Sequence, residues 1–466
     1  MRNVLRCRRG SVAFATVVAM IPLIGFLALG GEAGSWYVTQ QRAQNAADAA
    51  AYSGALQQAC VNNPSTCTAT GTADSRGKQS AAQNAFCNSG DTSYTGSICS
   101  TSLPTGVSQN VQIASLATWG GTAGTYIQAS VSQTQPTYLA QLLGVSSVTI
   151  GAIAVAKINN VAPNPPCVLA LSGSLSFQGS PNINAQNCGM FSDSQANNAI
   201  DFTGGGMTLN GPLSAAGGCS GSTTFCNKAF LYQQPVQNPY TALNSALTTM
   251  CGANPTLPAT CGLQTAGCSS TGMLVPYTAA APCTNNNLHI TGSTNENLSP
   301  GGNTGCSATA TVCLYFISGT LKITGTPTIS GTAIFILLPG ATIDNKGNAV
   351  ITIAGPTALP TSTNTAFPAA LQSSASLFQY MSMYDASATA VQFGGNSNIN
   401  LTGTIYAPNA AVTFQGNPTI NMGNGTSCGQ LIAASVAFNG NATLDSSGCP
   451  GQVQVKSPPQ YVQLVQ

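Results

Sequence analysis

The octapeptide FQGSPNIN at residues 177–184 recurs as FQGNPTIN at residues 414–421. Looser copies stand at residues 323–330, 393–400 and 438–445. Their shared form is an apolar residue, any residue, Gly, three small or polar residues, a second apolar residue, and then Asn, Ser or Asp. Such internal repetition indicates one structural unit used several times. Because Gly permits tight turns, each copy predicts a turn between two short strands.

The repeat predicts a parallel β-helix in which each coil carries one copy. Alternate side chains of each strand would point inward, and neighbouring coils would bury each other's cores. The two expected inner columns are Phe177, Phe393, Phe414 and Phe438, and Ile183, Ile399, Ile420 and Leu444. A β-sandwich with similar turns remains the alternative, and it would pair the Phe414 and Phe438 strands antiparallel or place them in different sheets.

The composition indicates an exported, β-rich protein rather than a disordered or nucleic-acid-binding one. Only 5% of the 466 residues are charged, while 43% are hydrophobic. Disorder of the usual kind requires more charge and less hydrophobicity. The net charge is +2, and four of the twelve basic residues lie within the first nine positions. No basic face is left for nucleic acid in the rest of the chain, so that partner is disfavoured.

The first 31 residues predict a cytoplasmic basic tail and a single transmembrane helix. The tail carries Arg2, Arg6, Arg8 and Arg9, and the 21 residues at 11–31 contain no charged side chain. A helix of this length spans roughly 30 Å, the thickness of the hydrocarbon layer. The arginines place the N-terminus in the cytoplasm. The alternative is a signal peptide cleaved near 28–30, but the helical pattern continues through the Ala-rich stretch after residue 40.

The same region resembles the N-terminus of TadG-like Flp (tight-adherence) pilus-assembly proteins. The resemblance rests on RRGSVA at 8–13, GGEAGSWY at 30–37 and QNAADAAA at 44–51, separated by the apolar run. It continues through PTYL, LLGV and VTIGAIAVA within residues 136–156, which look like the short strand–helix–strand module of that family. One departure is Ala15, which stands where prepilin-type processing after Gly10 prefers Glu, so we expect the anchor to be retained.

Segments of the C-terminal region also look like longer TadG-like proteins. They are VCLYFI at 312–317, VITIAGPT at 350–357, LTGTIYAP at 401–408 and CGQLIA at 428–433. The resemblance implies a structural role in assembling or anchoring a Flp-type pilus, or in adhesion. It offers no interpretation of residues 220–300 or 360–385, which the sequence indicates only as excursions.

The cysteines indicate an oxidising compartment for almost the whole chain. Cys7 precedes the apolar run, and the other 16 follow it. An even number of exported cysteines is typical of disulfides. No Cys-x-x-Cys occurs and His289 is the single histidine, which disfavours a zinc site. Close spacing makes five pairs candidates without fixing the connectivity: Cys60/Cys67, Cys87/Cys99, Cys219/Cys226, Cys251/Cys261 and Cys306/Cys313.

No residue is predicted to be catalytic or to bind a cofactor or metal. β-Helical polysaccharide lyases and hydrolases need clustered carboxylates or basic–acidic groups on adjacent coils, whereas Asp193, Asp201, Asp344, Asp385 and Asp445 are scattered along the sequence. His289 is expected to be structural. The pattern DASAT at 385–389 has the spacing of a metal-ion-dependent adhesion site, but no α/β alternation surrounds it. A carbohydrate-active envelope enzyme remains the alternative function.

The sequence therefore predicts a mainly β protein in four parts. Residues 1–31 form the tail and transmembrane helix, and 32–160 form a helix with a small α+β module. Residues 161–449 form a disulfide-stapled, parallel β-helix-like ectodomain, and 450–466 a flexible tail. The expected location is the bacterial inner membrane, with the bulk periplasmic or extracellular. The expected partners are that membrane and other Flp assembly proteins or pilin-like helices; no cofactor is expected, and no small-molecule ligand is indicated.

Overall fold

A computed structural model describes most of the chain and divides it into two compact units. The described residues are 8–62, 70–88, 103–159, 166–236, 238–252, 258–265, 268, 272–358, 366–423, 428–448 and 461–466. One unit comprises residues 1–161 and 459–466, and the other residues 162–458. The basic residues Arg2 and Arg6, and Cys7, lie outside the described residues.

A long helix dominates the first unit. Helix α1 (Arg8–Asn62) is continuous, and α2 (Ala73–Gln83) follows it. Alanine has the highest helix propensity, which explains why the Ala-rich half of α1 is helical. Thr72 caps α2, because its hydroxyl oxygen accepts the Ser75 N–H at 3.1 Å. The Ser75 hydroxyl oxygen in turn accepts the Thr72 N–H. In the part of the chain that the structure describes, no helix has the length and apolar character needed to cross a bilayer.

An antiparallel sheet lies against the C-terminal half of α1. Its strands β1 (Ser108–Trp119), β2 (Thr122–Pro136) and β3 (Ser147–Asn159) pair in chain order. A 3₁₀ helix, Ala140–Leu143, joins β2 to β3 and gives the strand–helix–strand order that the sequence predicts. Gly144, with φ of 87°, ends this helix.

The second unit is built from short parallel strands in two blocks. The first block contains β4 (Pro166–Ala170), β5 (Leu175–Gly179), β6 (Asn182–Asn184), β7 (Gly189–Ser192), β8 (Ile200–Phe202), β9 (Thr208–Asn210), β10 (Leu213–Ala215) and β11 (Cys219–Ser220). Helices α3 (Thr223–Cys226) and α4 (Thr241–Cys251) and a 3₁₀ helix at Pro258–Cys261 follow.

The second block contains β12 (Thr284–Asn286), β13 (His289–Ile290), β14 (Asn295–Asn297), β15 (Leu314–Ser318), β16 (Thr320–Ile323), β17 (Thr328–Thr332), β18 (Ile334–Leu337), β19 (Thr342–Asn345), β20 (Val350–Ala354), β21 (Met381–Asp385), β22 (Val391–Phe393), β23 (Asn398–Leu401), β24 (Thr404–Phe414), β25 (Thr419–Asn421), β26 (Gln430–Gly440) and β27 (Thr443–Asp445). Helix α5 (Ala369–Gln372) and a 3₁₀ helix (Ala375–Phe378) lie between β20 and β21.

These strands form three rows. The first row runs β10–β7–β4–β26–β24–β21–β18–β15–β12, and the second runs β11–β8–β5–β26–β24–β22–β19–β16–β13. Strands β24 and β26 are long enough to serve both rows. The third row, β14–β17–β20–β23–β25–β27–β6–β9, is a separate eight-stranded sheet. Every pair between these named strands is parallel, so the antiparallel pairing of a β-sandwich is not found among the described strands of this unit.

The stacking order differs from the chain order at one junction. The last strands, β26 and β27, pair with β4, β5 and β6, the first strands of the unit. Phe438 is the register partner of Phe177, and Leu444 that of Ile183. The earliest and latest copies of the octapeptide are therefore neighbours in space.

The two predicted inner columns are confirmed. Phe393, Phe414, Phe438 and Phe177 stack in that order, with ring centroids 5.6, 5.3 and 5.6 Å apart. Ile399, Ile420, Leu444 and Ile183 occupy matching register positions in the third row and are buried. The Phe414 and Phe438 strands run parallel, as the repeat predicts.

The glycine of the octapeptide is required by the turn that it occupies. Gly416 has φ of 95°, a conformation that L side chains rarely adopt, and a Cβ there would lie 2.9 Å from the Gly395 carbonyl oxygen. Gly440 repeats this geometry against Gly416 at 2.6 Å. Backbone conformation and close approach therefore both exclude a larger residue.

The outer side of the first row is apolar and covered. Phe316, Tyr384 and Tyr406 on this side are buried in a cluster with Leu243 of α4 and Leu371 of α5. Helix α4 lies within residues 220–300 and α5 within 360–385, the two segments for which the sequence offers no interpretation. These segments therefore cover the outer side of the first row.

Disulfides fasten the second unit. The predicted pairs Cys219–Cys226, Cys251–Cys261 and Cys306–Cys313 are present, and Cys167–Cys188 and Cys268–Cys283 are added. Cys60, Cys87 and Cys428 are also disulfide-bonded. The suggested partners Cys67 and Cys99 lie outside the described residues.

The end of the chain differs from the expected flexible tail. Strand β28 (Tyr461–Leu464) pairs antiparallel with β3, and Val462 is buried in the core of the first unit. Its alternation of a buried Val with polar neighbours suits an edge strand over an existing core. Residues 450–460 of the predicted tail lie outside the described residues.

Candidate assembly site

The Ala-rich motif of α1 fits the helix closely onto the sheet. Ala46, Ala47, Ala50 and Ala51 are fully buried together with Ala154 of β3. Methyl-sized side chains let the helix backbone approach the strands without a gap. Gln40 adds a polar contact by donating its side-chain N–H to the Gly151 carbonyl at 2.9 Å.

The small residues also bring α1 and α2 together. Gly77 of α2 faces α1, and a Cβ there would lie 2.7 Å from Ile113 Cδ1 and 3.1 Å from the Ala50 carbonyl oxygen. A Cβ built at Gly54 of α1 would lie 3.1 Å from the Ala73 carbonyl oxygen. The motif at 44–51 therefore has a packing role. Its half-buried Asp48 accepts the Gln44 side-chain N–H at 2.8 Å.

Glu32, which belongs to the GGEAGSWY motif at 30–37, joins α1 to the turn after β2. One carboxylate oxygen accepts the Tyr138 N–H at 2.8 Å, and the other accepts those of Leu139 at 3.1 Å and Ala140 at 3.0 Å. These donors are the free N–H groups at the start of the 3₁₀ helix, which a carboxylate suits. Desolvation opposes ionisation of Glu32, but the three backbone donors prevail and lower its pKa.

An open cleft of about 450 Å³ lies beside Glu32. Trp36 and Tyr138 give it aromatic walls, and Arg42 gives it a positive charge. Gln109 and Gln133 add side-chain amides that are hydrogen-bonded to each other at 2.8 Å. Aromatic, cationic and amide groups together suit the docking of a polypeptide segment.

The N-terminal part of α1 exposes an apolar surface. Val17 and Leu23 are each 60% exposed, and Met20 is 54% exposed. Among the described atoms, and leaving aside the backbone of α1 itself, none lies within 4 Å of a Cβ built at Gly25 or Gly31. The side chain of Ala28, a small residue between these two glycines, lies outside those that the structure describes.

The carboxylates considered for catalysis have structural environments. Asp201 accepts the Ser220 hydroxyl at 2.7 Å, Asp344 pairs with Lys346 at 3.1 Å, and Asp445 accepts the Asn184 amide at 3.0 Å. Asp193 accepts the Val236 N–H at 2.6 Å. Burial raises its pKa to about 7, against the opposing effect of that N–H.

The DASAT pattern forms a hydrogen-bonded turn. Asp385 is fully buried and accepts the Ser387 N–H at 2.8 Å, while the Ser387 hydroxyl oxygen accepts the Thr389 N–H at 2.9 Å. Burial raises the pKa of Asp385 to about 8, although the Ser387 N–H opposes the shift. Among the described residues, no group of three His, Cys, Asp or Glu side chains is placed to hold a metal ion.

Register brings together one group that the sequence reading missed. His289, Lys322 and Asp344 are register partners on three successive strands of the second row. His289 is exposed, and its ring nitrogen contacts the Thr324 hydroxyl at 2.9 Å. Only the pairing register could have revealed this group, because successive members are 33 and 22 residues apart in the chain.

The comparison with known families matches the N-terminal helix. Residues 10–58 match the family of putative Flp pilus-assembly TadE/G-like proteins. The match contains Glu32, Trp36 and the Ala-rich motif, so the resemblance is confirmed for these residues. No curated protein matches the chain significantly.

Proposed function

We propose that this protein is a structural component of Flp-type pilus assembly at the bacterial cell envelope. The family match over residues 10–58 carries the proposal, because it covers the helix whose motifs fix it to the first unit. The role is structural rather than catalytic. A carbohydrate-active enzyme is less favoured, since the carboxylates have the structural environments described above.

The N-terminal part of α1 is proposed as a single membrane anchor. Residues 11–31 are uncharged and follow a cluster of arginines. This arrangement favours a cytoplasmic N-terminus and export of the rest. Gly25 and Gly31 leave room for close approach of another helix, which is how small residues act in membranes. Pilin-like helices and other Flp assembly proteins are the proposed partners.

The second unit is proposed to be a parallel β-helix that serves as a stiff rod or cap outside the cytoplasm. The three parallel rows and their continuous aromatic column support this interpretation. Its disulfides suit an oxidising compartment.

Deletion and complementation in a pilus-bearing host test the function. Cells without the gene should show few or no Flp pili by electron microscopy, and the full chain should restore them. A chain lacking residues 10–58 but exported by a cleavable signal peptide should not. Unchanged piliation in the deletion strain would overturn the proposal.

A phosphatase reporter tests the topology separately. Fused after residue 62, the reporter should be active because this end of α1 is proposed to be exported. An inactive reporter in an inserted, full-length fusion would contradict the orientation. Mass spectrometry of the mature N-terminus would then decide whether the anchor is retained or a signal peptide is removed.

A further inference from the structure

The third row presents two straight columns of outward side chains. In each three-residue segment of this row, the middle residue points inward and its two neighbours point outward. In stacking order, the first column is Asn295, Thr328, Val350, Asn398, Thr419, Thr443, Asn182 and Thr208, and the second is Asn297, Ser330, Thr352, Asn400, Asn421, Asp445, Asn184 and Asn210.

This face has almost no charge. Of its sixteen outward positions, Asp445 is the one charged residue, and it accepts the Asn184 amide and the Ser447 N–H within the fold. The other two rows differ, since the first is covered by an apolar layer and the second displays His289, Lys322 and Asp344. Hydroxyl and amide groups are thus concentrated on one side of the unit, where Asn398, Thr419 and Asn182 are exposed and the Asn ladder beside them is half-buried.

The columns are also regular. Pairing in the third row continues through eight strands without a register shift, whereas the first row is shifted near Met383 and Val168. Seven steps of about 4.8 Å give the face a length of roughly 34 Å. Side chains two residues apart on a strand place the columns roughly 6.7 Å from each other.

Hydrogen bonds between coils hold the amides in place. Asn421 donates to Asn400 at 2.6 Å, and Asn400 donates to Thr352 at 3.1 Å. An amide has two N–H donors and an oxygen with two lone pairs. The exposed members of the columns, such as Asn398 and Thr352, can therefore contact a ligand while the ladder fixes the orientation of their neighbours.

We propose that this face binds an extended neutral polysaccharide whose chain runs along the stack. Nucleic acids and anionic lipid surfaces require cations, which the columns lack. A protein partner would require apolar or aromatic anchors, and Val350 is the one large apolar residue in the columns. Sugar hydroxyls donate and accept hydrogen bonds without charge. The repeat of about 4.8 Å is slightly shorter than the advance per sugar in an extended β-linked chain, so neighbouring coils can contact neighbouring sugars over a few units.

The inference rests on the proposed export of the second unit, which would bring the face into contact with envelope or external glycans. It adds a glycan-binding role to the proposed assembly role and leaves the assembly role unchanged. Binding is therefore expected to be separable from piliation.

The test is sedimentation of the purified full chain, in detergent, with insoluble microcrystalline cellulose and chitin, and with calcium pectate as an acidic control. We expect saturable binding to at least one neutral polymer and none to pectate. Thr419→Glu combined with Asn182→Glu places two charges on the face and should weaken binding at least about tenfold, because the charges would be desolvated by the sugar. Gln178→Glu is exposed on the second row and should bind within about twofold of wild type.

Circular dichroism and thermal melting show whether each variant is folded, and Thr419→Ser keeps the hydroxyl and should retain binding. Absence of binding to both neutral polymers, or equal binding by the double variant and by Gln178→Glu, would overturn the proposal. In cells, the double variant should restore normal pili but attach less to cellulose or chitin. Loss of pili in the deletion strain with no glycan binding would refute this inference and leave the assembly function standing.

Discussion

The Glu32 carboxylate accepts the backbone N–H of Tyr138 at 2.8 Å, although 106 residues separate them in the chain. The same side chain receives the next two N–H groups, so the acidic residue of the N-terminal motif fixes α1 to the turn before β3. This contact explains why an acidic residue precedes the Trp36–Tyr37 pair. The sequence motif alone does not explain it.

Replacing Glu32 by Gln should release this turn. A neutral amide oxygen accepts hydrogen bonds less strongly than a carboxylate, and one of its two terminal atoms is a donor that faces other donors. Hydrogen exchange should therefore become faster at Tyr138, Leu139 and Ala140. Asp48→Asn is the matched control, because Asp48 contacts the Gln44 side chain on the same helix, and it should leave these amides unchanged. Equal exchange in wild type and Glu32→Gln would contradict the role given to this carboxylate.

Acid should have the same effect as that substitution. The pKa of Glu32 is lowered in the folded protein, so its contribution is complete above its ordinary value of 4.5 and is lost as the pH falls through the folded value. Protection of the three amides should persist at pH 5 and be lost in stronger acid. Loss of protection already above pH 5 would contradict the lowered pKa.

The aromatic column predicts a local loss of stability. Phe414→Ala should lower the free energy of unfolding of the second unit by about 3–5 kcal/mol, because it removes a buried ring between two stacked neighbours. Gln415→Ala, one position away but exposed, should stay within about 0.5 kcal/mol. Denaturant unfolding measures both. Similar values for the two variants would contradict the stacking.

The turn glycine gives a second pair of variants. Gly416→Ala should cost about 1–3 kcal/mol, since it forces a side chain into a positive φ and against the Gly395 carbonyl. At Gly205 no atom of the described residues beyond its chain neighbours lies within 4 Å of an added Cβ, and its φ is not positive, so Gly205→Ala should be nearly neutral. A neutral Gly416→Ala variant would show that the turn relaxes easily.

Asp385 predicts a loss of stability in alkali. Burial raises its pKa from 3.8 to about 8, so the folded state binds a proton more tightly than the unfolded state. Its contribution is complete below about pH 4 and is lost as the pH rises through about 8. Asp385→Asn keeps the oxygen that accepts the Ser387 N–H and should flatten this dependence, so that its melting temperature falls less than that of wild type between pH 5 and 9. Parallel pH profiles for the two proteins would contradict the buried neutral carboxyl.

The sequence predicts the parts of this fold that repeat locally, and not the order in which they stack. Each octapeptide specifies its own inner Phe and Ile and its own Gly turn, so the columns through Phe414 and Ile420 follow from pattern alone. The copies are so alike that any one could pair with any other. Nothing in the local sequence indicates that the coil of Phe438 stacks on the coil of Phe177 and not on a further coil formed by the residues that follow it.

Contacts that depend on the strand register or on backbone donors also cannot be predicted from the sequence pattern. Lys322 lies between His289 and Asp344 in the second row only because their strands pair in one register. The donors for Glu32 are main-chain N–H groups, which every residue but proline carries, so no side-chain pattern marks their position. The apolar layer over the first row was equally invisible, since α4 has an ordinary amphipathic sequence and its partner strands are remote in the chain.

Site-specific photocrosslinking in pilus-bearing cells tests the assembly role most directly. A photoreactive residue at Leu23, on the exposed apolar part of α1, should form adducts with Flp assembly proteins or pilin that mass spectrometry identifies. The same residue at Thr413, on the outer side of the second row, should form few. Adducts at Leu23 that contain no Flp component, in cells where the protein is folded and the pili are intact, would contradict a role in pilus assembly.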